Sequence, residues 1–262
     1  MSDDMILTKI SGGRATVTLN RPDVHNAFDD VLMGRLIAEL QALERNPSVR
    51  AIVLAAAGKS FSAGADLKWM QRMAGYTEAE NLADAQVLAE LMRALNGLSK
   101  PTIARVQGAA FGGGVGLIAC CDIAVAVDTA KFTISEVKLG LIPAVISPYV
   151  VAAIGERQAR RYVLSAERFD ANEACRIGLV HSVVAAEGLD TAVDEFVSAI
   201  CANGPDAVAE AKKMIADVAR RPIDDGLIMD TAARIARIRV SPEGREGLAA
   251  FLEKRKPGWD KT

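Results

Sequence analysis

Two glycine-containing turns hold the residue types from which a binding site for an anionic oxygen could be built. Residues 62–67 (SAGADL) form the first turn and residues 108–116 (GAAFGGGVG) the second, and a helix is predicted to follow each. Amide groups at a helix start have no partner inside the helix, and small residues let a substrate approach them closely. Two such amides converging on one oxygen would stabilise an enolate as it forms. For each turn taken alone, glycines that merely permit tight turns and close helix contacts are the favoured explanation.

One carboxylate lies in a setting that suits proton transfer. Glu136 stands in residues 132–143 (FTISEVKLGLIP), which are otherwise almost entirely apolar. Apolar surroundings raise the pKa of a carboxyl group, and this favours acid–base work near neutral pH. The alternative is a surface glutamate paired with Lys138 or another cation.

Other cofactor and metal motifs are weak or missing. Residues 114–119 match a G-x-G-x-x-A dinucleotide fingerprint, but they lie mid-chain and no new βαβ unit begins after them. No Walker phosphate loop, metalloprotease helix or G-x-S-x-G elbow occurs. The four cysteines and two histidines show no metal-ligand spacing, so no metal site is expected.

Composition narrows the class of protein further. The 262 residues are 50% apolar and carry a net charge of −2, which predicts a folded α/β protein without a nucleic-acid footprint. Sparse cysteines, an acidic start without a signal-peptide pattern and the lack of a long apolar run favour a cytoplasmic protein that does not bind membranes.

Strand and helix patterns alternate along most of the chain, and helices dominate after residue 147. A hairpin is predicted around Gly12 and Gly13, with Pro205, Pro222 and Pro242 each as a first helical residue. The predicted strands are 8–10, 15–19, 51–55, 100–106 and 122–127, with a short edge segment starting at 131. The predicted helices are 29–45, 78–98, 157–165, 171–177 and 189–202.

An ordered set of motifs resembles the crotonase (enoyl-CoA hydratase/isomerase) superfamily over residues 5–258. The set comprises NRP (20–22) with Asn26-Ala27, FSAGADL (61–67), FGGG (111–114), CDI (121–123), SE (135–136), GLIP (140–143), GLV (178–180) and the tail FLEKRK (251–256). The order of the motifs, more than any single one, makes the resemblance specific.

This resemblance implies a spiral of ββα units over residues 1–200 and a helical trimerisation region over residues 201–262. It further implies homotrimers or dimers of trimers, an acyl-CoA thioester as substrate, and no cofactor beyond the coenzyme A of that substrate. The amides of Ala65 and Gly113 would hold the thioester oxygen, and Glu136 would move the proton. By position, the CoA site would be lined by Asp23, Val24, His25, Ala27, Ala63, Asp66, Leu67, Phe251 and Lys254.

One departure from the family pattern bears on the reaction. Common hydratases use two glutamates, and the position of the earlier one is Gly116 here, which supplies no acid or base. Hydration of an enoyl-CoA is the leading hypothesis. A single Glu136 is also suited to moving a proton between C2 and C4, as in the family's Δ3,Δ2-enoyl-CoA isomerases. A non-catalytic acyl-CoA binder is the third reading.

A second departure concerns the acyl chain. Ala144 replaces a common glycine, and residues 141–150 look most like those of bacterial hydratases of branched glutaconyl-CoA thioesters, enzymes of leucine or acyclic-terpene breakdown. Such substrates carry a second carboxylate, which would need a cation. Lys68 and Arg72, one helical turn apart, are candidates, and a solvated basic face is the alternative.

Overall fold

Strands and helices alternate along the chain, and the computed structural model describes residues 4–219 and 221–260. The strands of this part are β1 (Ile6–Ser11), β2 (Arg14–Leu19), β3 (Ala51–Ala56), β4 (Ser60–Ser62), β5 (Thr102–Val106), β6 (Ala109–Phe111), β7 (Ile123–Val127), β8 (Lys131–Thr133), β9 (Phe169–Asp170) and β10 (Ser182–Val184). Its α-helices are α1 (Asp30–Arg45), α2 (Leu67–Met73), α3 (Glu78–Asn96), α4 (Gly113–Cys120), α5 (Ser147–Ser165), α6 (Ala171–Arg176), α7 (Leu189–Cys201), α8 (Pro205–Val218), α9 (Asp225–Val240) and α10 (Pro242–Leu252).

Within the described residues the strands form two sheets, and the strands from β3 to β8 alternate between them. The first sheet has the order β1-β2-β3-β5-β7-β10, in which only the β1–β2 pair is antiparallel. The second has the order β4-β6-β8-β9, with β9 antiparallel to β8. The pairs β3–β4, β5–β6 and β7–β8 therefore each supply one strand to each sheet. This repeat confirms the expected spiral of ββα units and the α/β class.

The core lies between the first sheet and the helices that cover it. All six residues of β3 are buried, and the strand pairs in parallel with β2 and β5. A strand covered on both faces needs a continuous apolar run, which is what its sequence AIVLAA provides. Helix α1 buries Leu32, Leu36, Leu40 and Leu43 and packs against α3, which confirms the predicted apolar face of that helix.

Local capping explains why several helices begin where the sequence predicts. The Asp29 carboxylate accepts the Leu32 amide at the start of α1. Thr77 and Glu80 form a capping box at the start of α3. Pro205 and Pro242 are the first residues of α8 and α10, as predicted.

Three predictions about elements were wrong. Helix α5 begins at Ser147, ten residues before the predicted start, and it is interrupted at Gly155, where φ is 74°. Helix α9 begins at Asp225 and not at Pro222, because the Asp224 carboxylate accepts the Leu227 amide at 2.8 Å and sets the start. Strand β8 is not an edge, since it pairs with both β6 and β9.

The C-terminal part is helical, as expected. Helix α10 packs on α8 and α9, and the predicted division at residue 200 falls one residue before the end of α7. That division stays a prediction. None of the helices in the described residues is both long and apolar enough to cross a membrane.

Candidate active site

The loops after β2, β3 and β5 support the predicted site, whose residues lie in the loop after β2 and in the segments that follow the short strands β4, β6 and β8. Asn26 holds two of these loops together, although its side chain is fully buried and its φ is 53°. Its Nδ2 donates to the carbonyls of Ala57 and Ser60, at 2.7 and 2.8 Å, and its Oδ1 accepts the Arg21 amide at 2.9 Å. Asparagine tolerates this left-handed backbone better than most residues. Every hydrogen-bonding group of the Asn26 amide side chain therefore serves to fix the shape of the site.

The third loop is held in the same way by Gln107. Its Nε2 donates to the carbonyls of Ala56 and Ser60, both at 2.9 Å. Sequence reasoning assigned no role to Gln107, Asn26 or Arg21. Gln107 could have been singled out as a polar side chain that directly follows an apolar strand. Arg21 could have been singled out as part of the NRP motif.

The first turn places the Ala65 amide beside the second turn. The Phe28 amide donates to the Gly64 carbonyl at 2.8 Å, and the Asp66 amide donates to the Phe28 carbonyl at 3.0 Å. Gly64 has a φ of 85°, and a Cβ on it would stand 2.8 Å from the Phe111 carbonyl oxygen and 3.4 Å from the Gly113 nitrogen. Only glycine fits this conformation and this approach.

The second turn ends at Gly113, the first residue of α4. A Cβ on Gly113 would lie 2.3 Å from the Phe28 ring, and one on Gly114 would lie 2.6 Å from the Ser62 carbonyl oxygen. These two glycines let α4 begin directly against the first turn. Among residues 4–219 and 221–260, the Ala65 and Gly113 amides donate no hydrogen bond to the protein. Two unpaired amides on adjoining turns are the donors that an oxyanion hole needs.

Asp66 is buried and fully engaged by the protein. Its carboxylate accepts the amides of Lys68 and Trp69 at the start of α2 and a 2.9 Å hydrogen bond from Arg21 Nη2. Burial acts to raise the pKa of Asp66, but the Lys68 and Trp69 amides and Arg21 outweigh it, so this pKa lies below its ordinary value. The Asp66 side chain is thus a helix cap, and its contact with CoA stays a prediction.

Glu136 faces the second turn from a 3-10 turn that follows β8. A Cβ on Gly112 would lie 3.1 Å from Glu136 Oε1, and Glu136 Oε2 is buried without a hydrogen-bond partner. Burial raises the pKa of this carboxyl above its ordinary value near 4.5, while the amides of Glu136 and Ser135 act in the opposite direction. No ion pair involves Glu136 in the described residues, and the Lys138 pairing weighed above is not formed. A carboxyl of this kind is suited to carry a proton.

Gly116, the last residue of the second turn, has no room for a side chain. A Cβ on Gly116 would lie 2.3 Å from Ile146 Cγ2 and 3.2 Å from Met92 Cε. The space beside Gly116 is therefore filled by the protein itself.

The structure divides the residues predicted to line the CoA site into two groups. Asp23, Val24, His25, Ala63 and Leu67 are exposed on the loops after β2 and β4, whereas Ala27 and Asp66 are buried. His25 has a φ of 54° and its Nδ1 lies 3.0 Å from Ser60 Oγ.

Phe251 is 80% exposed at the end of α10, and Lys254 lies just beyond it. Helix α10 packs on α8 and α9, an arrangement that leaves both side chains exposed.

The candidate cations for a second substrate carboxylate differ in their surroundings. Arg72 is engaged by Asp30, at 2.6 Å, and by the side chain of Tyr76. Lys68 is exposed at the start of α2. Lys68 is therefore the better candidate of the two.

A large cavity lies at the other end of the sheet. Its volume is about 1190 Å³, and its walls include Gly13, Arg50 and Pro101, which directly precede β2, β3 and β5. None of the predicted site residues lines it. The described residues also contain no cluster of three or more His, Cys, Asp or Glu side chains that could hold a metal ion.

Comparison with known proteins decides the family. The sequence model of the enoyl-CoA hydratase/isomerase family matches residues 9–262. The chain belongs to this family. A Legionella pneumophila structure assigned to the enoyl-CoA hydratases/isomerases (crotonases) is 51% identical, with a TM-score of 0.93 over 98% of this chain and 99% of that chain. An enoyl-CoA hydratase structure from Shewanella pealeana is 49% identical, with a TM-score of 0.95 over 97% and 96% of the two chains.

The name of one relative of this family member states a substrate. The crotonyl-CoA hydratase of Syntrophomonas wolfei is 32% identical over 244 residues, which are 92% of each chain. The superfamily inferred from the motifs is thus confirmed. The names of these three relatives do not refer to a branched glutaconyl substrate, so membership of that subgroup stays a proposal.

Proposed function

We propose that this enoyl-CoA hydratase/isomerase family member hydrates a 2-enoyl-CoA thioester. The observation that carries the proposal is the buried, unpartnered Oε2 of Glu136, on a carboxylate 3.1 Å from the Cβ position of Gly112. Gly112 directly precedes the unpaired amide of Gly113. A proton carrier and an oxyanion donor therefore adjoin each other, as addition next to a thioester carbonyl requires.

The proposed reaction follows from these groups. The thioester oxygen is held between the amides of Ala65 and Gly113, which stabilise the enolate as negative charge moves onto that oxygen. Water loses a proton to Glu136 as its oxygen bonds to C3, and Glu136 returns a proton to C2. The sum is addition of water across the 2,3 double bond, and the reaction requires no cofactor in this proposal.

Isomerisation is the second candidate because of Gly116. No acid stands at that position and Ile146 fills its space, so Glu136 has to serve both proton steps. A single carboxylate can equally take a proton from C2 of a 3-enoyl-CoA and return it to C4. Water labelled with heavy oxygen separates the two reactions, because only hydration incorporates the label. A non-catalytic acyl-CoA binder is the third candidate, and it requires binding without turnover of any thioester.

We propose a 3-methyl-branched or glutaconyl-type acyl chain as the specific substrate. The support is the sequence of residues 141–150 and the exposed Lys68 beside the first turn, which could meet a second carboxylate. The CoA moiety would lie along the exposed loop residues Asp23, Val24 and His25. Neither nucleic acid nor a membrane is a proposed partner.

A homotrimer, or a dimer of trimers, is the proposed assembly, in the cytoplasm. Support comes from large apolar side chains left exposed on the C-terminal helices, among them Ile215, Met229, Leu248 and Phe251. Several exposed large apolar side chains on helices that pack together are compatible with a surface that contacts another protein. In such an assembly Phe251 and Lys254 would reach the CoA site of a neighbouring subunit.

The test is loss of enoyl-thioester conjugation with crotonyl-CoA, 3-methylcrotonyl-CoA and 3-methylglutaconyl-CoA. Turnover confined to the glutaconyl ester supports the branched-acid hydratase, and turnover of crotonyl-CoA supports a straight-chain hydratase. If all three esters stay unchanged while a 3-enoyl-CoA is converted, the protein is an isomerase. Calorimetric binding without turnover of any of the four indicates a binder.

A further inference from the structure

Gly116 is enclosed by side chains that cannot easily move. A Cβ on it would lie 2.3 Å from Ile146 Cγ2 and 2.9 Å from Ile146 Cβ, with Met92 Cε at 3.2 Å. Ile146 is 2% exposed and Met92 is fully buried. A β-branched side chain has few rotamers, and its Cβ is fixed to the backbone. Any larger residue at position 116 therefore forces the backbone around Ile146 to move.

Gly116 lies one helical turn from the position that Glu136 faces. The Gly116 amide donates to the Gly112 carbonyl at 3.3 Å, so the two glycines are one helical turn, about 5.4 Å, apart. The Cβ position of Gly112 in turn lies 3.1 Å from Glu136 Oε1. Ile146 and Met92 occupy the space into which a side chain at position 116 would extend.

We propose that Ile146 is a specificity-determining residue that occupies the second acid–base position of this site. Its side chain, backed by Met92, restricts proton transfer to the single carboxylate of Glu136. The inference rests on the proposed function, since a second acid matters only if the protein acts on an enoyl thioester. This proposal differs from the simple loss of an acidic residue, because it predicts that Gly116→Glu alone does not provide a working second carboxylate.

The geometry predicts a graded response to shortening residue 146. Alanine there removes the clash with Cγ2 but keeps a Cβ 2.9 Å from the Cβ of residue 116, which is still too close. Glycine removes both atoms. The side chain introduced by Gly116→Glu should therefore fit with glycine at position 146, fit poorly with alanine, and not fit with isoleucine.

The experiment uses the single variants Gly116→Glu and Ile146→Gly and the double variant that carries both changes. A second double variant combines Gly116→Glu with Ile146→Ala. The readouts are the thermal midpoint and kcat for hydration of crotonyl-CoA. Gly116→Glu alone should lower the thermal midpoint by several degrees, and in the Ile146→Gly background it should lower it little or not at all. The double variant Gly116→Glu with Ile146→Gly should hydrate crotonyl-CoA about tenfold or more faster than Ile146→Gly, since a positioned acid or base contributes at least that factor.

Gly34→Glu in both backgrounds is the matched control. Gly34 lies in α1 with no atom within 4 Å of its Cβ position, so its effect should be the same with either residue at position 146. An active wild type in which Gly116→Glu lowers the thermal midpoint equally in both backgrounds overturns the inference. So does a folded double variant that hydrates no faster than Ile146→Gly. A wild type that converts no enoyl-CoA thioester overturns the proposed function instead, and the assignment of Ile146 to specificity with it.

Discussion

Arg21 Nη2 donates a 2.9 Å hydrogen bond to Asp66 Oδ2, and this pair joins the loop after β2 to the start of α2. Arg21 Nη1 also donates to the Ala27 carbonyl at 2.7 Å. The pair is largely shielded from solvent, with 18% and 8% of the two side chains exposed. Because Ala65 directly precedes Asp66, the position of the Ala65 amide depends on an arginine 44 residues earlier in the chain.

Arg21→Gln should therefore destabilise the protein and impair turnover together. The Asp66 carboxylate would keep the Lys68 and Trp69 amides but lose its hydrogen bond from a charged partner, which costs about 2 kcal/mol of unfolding free energy. Denaturant unfolding and kcat measure the two effects. Arg93→Gln is the control, because the Arg93–Glu90 pair is exposed and adjacent on one helix, and surface pairs contribute little. Equal stability of the two variants would refute the role of Arg21.

Glu136→Gln should abolish most activity without weakening the fold. Glutamine has nearly the same shape but can neither accept nor release a proton as an acid or base, so kcat should fall about a hundredfold or more. Binding of an acyl-CoA, measured by calorimetry, should persist. Glu156→Gln, at an exposed position of α5, should leave kcat unchanged. Retained turnover in Glu136→Gln would assign proton transfer to another group.

The stability contributed by Glu136 should depend on pH in a defined direction. Its pKa in the folded protein lies above the ordinary value near 4.5, so folding favours its protonated form. The free energy that Glu136 contributes to folding is then fully present below pH 4.5, and it is lost as the pH rises through the raised pKa. The unfolding free energy of wild type minus that of Glu136→Gln should accordingly decrease from about pH 4 upward. A difference that increases with pH would show that the carboxylate form is the one stabilised.

Gly113→Ala should destabilise the protein because its Cβ would stand 2.3 Å from the Phe28 ring. Overpacking of this kind costs about 1 to 3 kcal/mol, and the displaced amide should lower kcat as well. The same change at Gly34, in the exposed interior of α1, meets no atom within 4 Å and should stabilise by about 0.5 to 1 kcal/mol. Unfolding curves of the two variants provide the comparison. A destabilised Gly34→Ala would show that helix propensity does not govern that position.

The predicted elements that proved correct are those whose signals are local. Helix α1 carries its own cap at Asp29 and its own apolar face, and β3 is a six-residue apolar run. By contrast, β4 and β6 are three residues each, and neither was predicted as a strand: β6 lies within the second turn, and β4 ends where the first turn begins. Their pairing with each other brings together residues almost 50 positions apart, and no local pattern encodes such a contact.

The sequence by itself pointed to the family through the order of its motifs, and the resemblance then implied the ββα spiral and the candidate roles of Glu136, Ala65 and Gly113. Tertiary structure alone decided three further points. It showed that Asp66 is a buried cap held by Arg21, that Arg72 is engaged by Asp30, and that Ile146 fills the space beside Gly116. Each depends on which distant side chain arrives at a given point in space. Packing and burial are properties of the folded chain, and they raise the pKa of Glu136 and close the space beside Gly116.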